Sequence, residues 1–282
     1  MSPKNALITV LLFFLSAPAA AQTPLILGIF PRQKPTELSQ KFKPLIAYLS
    51  ATLNRPVEFA TAKDFPAFWE AVTLKKYDIV HYNQYHYIKS HKAQSYEAVA
   101  MNEEEGHSTL MGALIVRDDS AVKTLADLKG QKIMFGGDNK AMIAYVVPIF
   151  LLKQAGLARS DFTEEHARNP MSAIVAVARG YAAAAGASTV ILNRPELADE
   201  TLSVKMRVLA KSEPFAHLPW AVKSTLDRAL ILKIRDALLN VSRAANGAAI
   251  LESAGLTGLQ PVTDSDYDPH RVVIKEVMGE EY

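Results

Sequence analysis

The sequence predicts an α/β protein organised as two layered units, and three observations carry that prediction. Short apolar runs of strand character alternate with longer amphipathic segments along most of the chain, the pattern of helices flanking mostly parallel sheets. Hydrophobic residues make up 49% of the sequence, enough to bury both faces of such sheets. None of the 282 residues is cysteine, so the fold must rest on its apolar core, without disulfides, thiolate metal sites or Cys nucleophiles.

In chain order, residues 1–21 read as a secretory signal peptide: Lys4 is their only charge, an apolar run from Ala6 to Leu15 follows, and Ala19-Ala20-Ala21 supplies a small-residue exit. The run is too short to span a bilayer. No cysteine follows it, which excludes a lipid anchor, so a chain free in the periplasm and cleaved near Ala21 is expected. Leu25 to Phe30 reads as a buried strand stopped by Pro31. A helix over Glu37 to Leu53 follows, with Phe42, Leu45, Ile46, Leu49 and Leu53 on one face. Pro56 to Ala60, Phe65 to Leu74, Tyr77 to His81 and Gln84 to His91 continue as strand, helix, strand and helix.

The second unit begins with a strand at Gly112 to Arg117 and another at Lys132 to Phe135, closed by Gly136-Gly137. Asp138 is expected to cap a helix reaching Ala155. A helix at Pro170 to Gly180, a short segment at Gly186 to Val190 and a strand at Met206 to Ala210 follow, and the last third is chiefly helical. There is no low-complexity linker, so crossing strands must join the two units. A ligand in such sheets sits beyond the strand carboxyl ends, where helices begin. That geometry selects the loops Pro31 to Glu37, Asn83 to His86, Asp138 to Ala141, Ser188-Thr189 and Pro214 to Pro219.

A formal net charge of +2 gives no support to nucleic-acid or membrane-surface binding. Neither a Gly-x-Ser-x-Gly elbow, a His-Glu-x-x-His helix nor a Walker loop is present. No enzyme activity and no cofactor are expected.

Several segments together resemble one family: Gly28-Ile29-Phe30-Pro31, Phe42 to Leu49, Tyr77-Asp78-Ile79-Val80, Tyr85-His86-Tyr87, Ile115 to Ser120, Leu125 to Gly130, and Tyr145-Val146-Val147-Pro148. Their order resembles that of the phosphate/phosphite/phosphonate-binding family of ABC-transporter solute receptors. The resemblance implies a two-lobed periplasmic-binding-protein fold that closes on a small ligand and presents it to a membrane permease. Lobe I would comprise residues 22–113 and 217–282, and lobe II residues 114–216. The hinge strands would run near Leu110 to Val116 and Lys211 to Val222. A monomer is expected. A membrane sensor kinase is the alternative partner.

The family's oxyanion turn, a Ser-Thr-Ser-Gly run before the Tyr-x-Val-Pro helix, aligns here with Ala141-Met142-Ile143-Ala144. Two readings stay open. Backbone N–H groups with Asn139 and Lys140 hold an anion of a different head group, or Met142 and Ile143 face a more apolar ligand. Either side chain could also be plain core. Tyr85 matches the family's ligand tyrosine, and His86 and His217 lie in the same loops. The ligand-binding candidates are therefore Arg32, Tyr85, His86 and His217 with Asp138, Asn139, Lys140, Ser188 and Thr189. A metal or metal chelate held by His81, His86 and His217 is the alternative cargo, although no spacing here is a metal signature. Glu103-Glu104-Glu105 reads as a solvated loop.

Overall fold

The computed structural model describes residues 22–194, 197 and 204–282; the export segment expected over residues 1–21 lies outside them. Strand β1 (Leu25–Ile29) is followed by α1 (Pro35–Leu53), β2 (Val57–Ala60), α2 (Phe65–Thr73), β3 (Ile79–His81), α3 (Gln84–Gln94), β4 (Tyr96–Glu103) and β5 (Thr109–Leu110). Then come β6 (Gly112–Arg117), β7 (Lys132–Gly136), a π-helical turn over Met142–Val146 running into α4 (Val147–Gln154), β8 (Thr163–Ala167), α5 (Pro170–Ala178) and β9 (Ala184–Ser188). The chain ends with β10 (Met206–Lys211), β11 (Phe215–Ala216), β12 (Pro219–Lys223), α6 (Arg228–Leu239), α7 (Gly247–Ala254), β13 (Gly258–Gln260) and α8 (Asp268–Met278).

The strands form two sheets with one shared logic. The first runs β2-β1-β3-β12-β4-β13 and the second β8-β7-β9-β6-β10. Strands that open successive βα units pair in parallel, β1 with β2 and β3, β7 with β8 and β9. In each sheet a strand arriving from the other unit slots in antiparallel beside the third: β12 against β3, and β6 against β9. The chain thus crosses twice between the sheets, after β5 and after β10, and β5 pairs with β11 where the two crossings meet. No sequence repeat betrays this repeated topology.

Burial explains why the elements sit there. The α1 stripe Leu38, Phe42, Leu45 and Leu49 is buried and joins Leu25, Leu27, Ile79, Trp220 and Ile234 in one core on one face of the first sheet. Ile46 and Leu53 only flank it. In the second unit, Ala113, Ile115, Ala173, Ile174 and Val177 pack between β6 and α5. The largest core joins both units, running from Phe68 and Tyr77 through Tyr82 and Tyr87 to Val146, Ile149 and Ile274.

Helix α8 belongs in sequence to the first unit but packs on α3 and also on α4 and the π turn. Lys153 Nζ donates to the Glu276 carbonyl at 2.6 Å. The final residues then fold back on α3, where the Tyr85 hydroxyl donates to Glu280 Oε2 at 2.8 Å.

Candidate functional site

Six strand ends meet in one cleft. The residues just beyond β1 (Phe30, Pro31, Arg32), β2 (Lys63, Asp64), β3 (Asn83, Gln84), β7 (Gly137, Asp138, Asn139), β8 (Arg168, Asn169) and the end of β9 (Ser188) all line a cavity of about 1000 Å³. This is where the field of an α/β sheet collects, because helices begin there and leave their first N–H groups unpaired. Helix starts ring it: Asp64 caps α2 by accepting from Ala67 N at 2.9 Å, Asn83 caps α3 by accepting from His86 N at 2.9 Å, and Asn169 caps α5 by accepting from Ser172 N at 2.9 Å. Proline in the first turn of α1, α2 and α5 suits such starts, since its missing N–H would be unpaired anyway.

The turn aligned with the family's oxyanion loop is built differently from expectation. Asp138 does not cap the helix: its Oδ1 accepts from Lys140 N at 2.9 Å, and the helical segment begins only after Ala141. Tyr145 N and Val146 N both donate to the Ala141 carbonyl, while the N–H groups of Met142, Ile143 and Ala144 have no partner among the described residues. Met142, Ile143 and Ala144 are buried and also line the cleft. Ala144 O would lie 2.4 Å from a Cβ placed on Gly186, so only glycine in β9 lets this turn press so close. At Gly136 a Cβ would meet the Pro170 backbone at 2.4 Å, which holds the β7 exit against the start of α5.

Charge in the cleft is unbalanced. Lys34, Lys63 and Arg168 line it without an ion-pair partner among the described residues, and Arg32 stacks over the Phe30 ring at 5.1 Å. The two carboxylates present, Asp64 and Asp138, already accept backbone N–H groups. Among the lining residues Ser188 carries the one hydroxyl, and its buried Oγ has no hydrogen-bond partner among the described residues. His166 also lines the cleft, and its Nδ1–H donates to the Gly137 carbonyl at 2.7 Å.

Of the expected ligand residues, Arg32, Asp138, Asn139 and Ser188 line this cleft. Tyr85 does not: it is buried, and its hydroxyl donates to Glu280, outside the cleft lining. His86 stacks on Phe65 and gives its Nδ1–H to Asn83 Oδ1 at 2.7 Å. Burial, with Lys140 and Lys89 nearby, pushes its pKa down to about 3, so it is neutral. Lys140 contributes its carbonyl, which accepts from Asn83 Nδ2 at 3.2 Å across the cleft. Thr189 donates its backbone N–H to Met111.

His217 is buried outside the cleft lining, with Nδ1 accepting from Leu218 N at 2.7 Å. Burial lowers its pKa to about 4 against the opposing pull of Glu104. His81 stacks on Trp220 at 4.4 Å and is held well below the usual imidazole range by burial. The two sit near a polar nest in which Trp220 Nε1 donates to Asn102 Oδ1 and Asn102 Nδ2 to Glu104 Oε1. Glu104 is therefore a half-sheltered structural carboxylate, not part of a freely solvated loop. His86 lies elsewhere, and no group of three metal-capable side chains occurs among the described residues; a metal cargo is not favoured.

Sequence reasoning missed the His166 to Pro170 rim and Lys63 to Phe65. The Asn169-Pro170 and Asp64-Phe65-Pro66 pairs, a cap followed by proline, were the available signal.

This geometry defines a two-lobed α/β receptor: two sheets, two crossings, and a charged cleft at their facing carboxyl ends. Residues 27–267 match the model of the phosphonate ABC-transporter periplasmic substrate-binding proteins, and the chain belongs to that family. It is accordingly a solute-binding receptor of the periplasm, with a small-molecule ligand and a permease partner. Its fold is similar to that of a binding-protein component of an ABC phosphonate transporter from Pseudomonas aeruginosa, with a TM-score of 0.73 at 20% identity over 89% of this chain and 85% of that one. It is also similar to a Xanthomonas citri protein bound to ATP (TM-score 0.76, 17% identity, 92% and 98% covered). A third is PhnD1 of Prochlorococcus marinus in complex with methylphosphonate (TM-score 0.76, 14% identity, 90% and 97% covered).

Proposed function

We propose that this receptor captures an organic anion of the phosphonate, phosphate or sulfonate kind by closing its two lobes, acting as a monomer and without turnover. The observation that carries the reading is the charge of the cleft: cations without partners face a space whose carboxylates are already engaged by N–H groups. An anion entering there meets unpaired donors at helix starts and displaces no ion pair. Arg32, Asn139 and Ser188 from the sequence-derived set are ligand contacts in this reading, joined by Lys63, Asn83, His166 and Arg168. In this reading one lobe border lies between Leu110 and Gly112, a few residues before the expected 113/114, and the other between Lys211 and Pro219, a span that contains the expected 216/217. Export through residues 1–21 with cleavage near Ala21 delivers the chain to the compartment where the permease takes the closed form.

The test is a thermal-shift panel of phosphonates, phosphates and sulfonates, each with small and large organic groups, alongside divalent metals. A ligand bound only to the folded state stabilises it by about 2.7 kcal/mol at a hundred times its Kd. An anion that raises Tm in proportion to the logarithm of its concentration supports the reading. A panel in which no anion moves Tm sinks it.

A further inference from the structure

We propose that the cleft selects an anion carrying an aryl-sized apolar body, and discriminates against bare or methyl-sized oxyanions. The inference rests on the anion-receptor reading above and specifies its ligand class. Three independent features point the same way.

The first is size. The cleft holds about 1000 Å³ although its rims already touch through Asn83 and Lys140. A tetrahedral oxyanion occupies no more than a few water volumes of roughly 30 Å³ each, whereas pockets of roughly 300–1,000 Å³ suit ligands with a substantial organic body. The second is the turn itself. Where the family places hydroxyls, the cleft is lined by Met142 and Ile143, nearly fully buried apolar residues that offer no side-chain donor. A small oxyanion is held by donors alone, and the hydroxyl donors here are reduced to Ser188, which has no hydrogen-bond partner among the described residues. The N–H groups of Met142, Ile143 and Ala144 remain for the head. The third is aromatic. Phe30 and Phe65 line the opposite, first-lobe wall with ring centroids 6.2 Å apart and planes tilted 52°, a surface that offers an aromatic body edge and face contacts.

The head group thus lies against the turn N–H groups, Ser188 and the cleft cations, while the body is held between the Met142-Ile143 wall and the Phe30-Phe65 wall when the lobes close. Apolar burial replaces the affinity that the lost hydroxyls would have given, and it is available only to a ligand that has a body to bury.

Calorimetric titration of the full mature chain with inorganic phosphate, methylphosphonate, phenylphosphonate and benzylphosphonate tests this. The aryl compounds are expected to bind about 10- to 100-fold more tightly than methylphosphonate, the gain that burying one ring supplies. Phe65→Ala, at a partly exposed position, should erase most of that ratio while leaving the melting temperature of the unliganded protein within a few degrees. Met142→Ser with Ile143→Thr should move the preference toward methylphosphonate; should that pair of substitutions unfold the chain, the Phe65 variant alone decides. Inorganic phosphate or methylphosphonate binding as tightly as phenylphosphonate overturns the size selection but leaves the anion receptor standing. Binding of none of the four overturns the aryl proposal, and the wider panel then decides the receptor reading.

Discussion

Replacing Asn83 with Asp should open the cleft, and because Asn83 also lines it, the interlobe distance is the measurement that isolates this effect. The Asn83 amide is oriented by two donors, His86 N and His86 Nδ1–H, which both point at its Oδ1 and leave Nδ2 to reach the Lys140 carbonyl on the other lobe. Aspartate caps a helix as well as asparagine does, so α3 keeps its start. The cross-cleft donor is lost, and a carboxylate oxygen now faces the carbonyl. One net hydrogen bond is worth about 1 kcal/mol, a factor of about five in the open–closed equilibrium. If the competent closed form is the minor species, apparent affinity falls by the same factor. Because the chain has no cysteine, spin labels at Gln40→Cys on α1 and Gln131→Cys beside β7 give a clean interlobe distance by pulsed electron resonance. Asn169→Asp is the matched control, a cap of the same kind with no cross-cleft bond. The latch reasoning is refuted if the Asn83 and Asn169 variants show the same distance distribution.

Tyr85→Phe should cost about 1–3 kcal/mol of folding stability by urea titration, because its hydroxyl donates to a carboxylate; ligand affinity should stay within twofold, and a selective loss of affinity would return Tyr85 to the site. Gly186→Ala should destabilise by about 1–3 kcal/mol, since the new methyl must displace Ala144 O and the Phe135 ring, read as a lower urea midpoint at unchanged slope. Acidification should weaken the fold below pH 6.5. His86, His217 and His270 have native pKa values lowered by burial to about 3, 4 and 3, so the unfolded chain binds more protons as pH drops from the ordinary imidazole value toward 4. Their stability contribution is complete above that value, and each group removes about 1.4 kcal/mol per pH unit within the window. His270→Phe, at a buried ring packed on Phe215 and Tyr267, should flatten this slope by one proton; a slope equal to wild type would mean His270 does not titrate on unfolding.

The first-lobe core was legible because α1 announces itself through a 3.6-residue stripe and β1 through an unbroken apolar run. The edge strand β8 was not. Thr163–Ala167 reads Thr-Glu-Glu-His-Ala, because β8 has a neighbour on one side only and buries none of its residues fully; a strand without an apolar signature hides both itself and the Arg168-Asn169 rim beyond it. Asp138 misled for a different reason. Its side chain does bond a backbone N–H two residues on, as an Asx turn, and local sequence cannot tell that turn from a cap three residues before a helix. Tyr85 carried the right type at the right spacing, but its direction was decided by the far end of the chain, through a contact with Glu280 that no local pattern encodes. The replaced hydroxyl run at Ala141 to Ala144, by contrast, was plain in the sequence and proved to be the most informative departure in the site.

Helix α8 has a mechanical consequence. Its Val273, Ile274, Val277 and Met278 present aliphatic surface to the joint core, with Lys153 to the Glu276 carbonyl as a polar fastening to α4. A greasy contact with few directional bonds lets neighbours slide, as in shear motions of packed helices. In the proposed closing movement this contact is the axle, and Tyr282 sits beside it. Anything fused or tethered at Tyr282 loads that axle directly, and immobilised protein should be held by an exposed face of α1 instead if its closing rate is to be that of the free molecule.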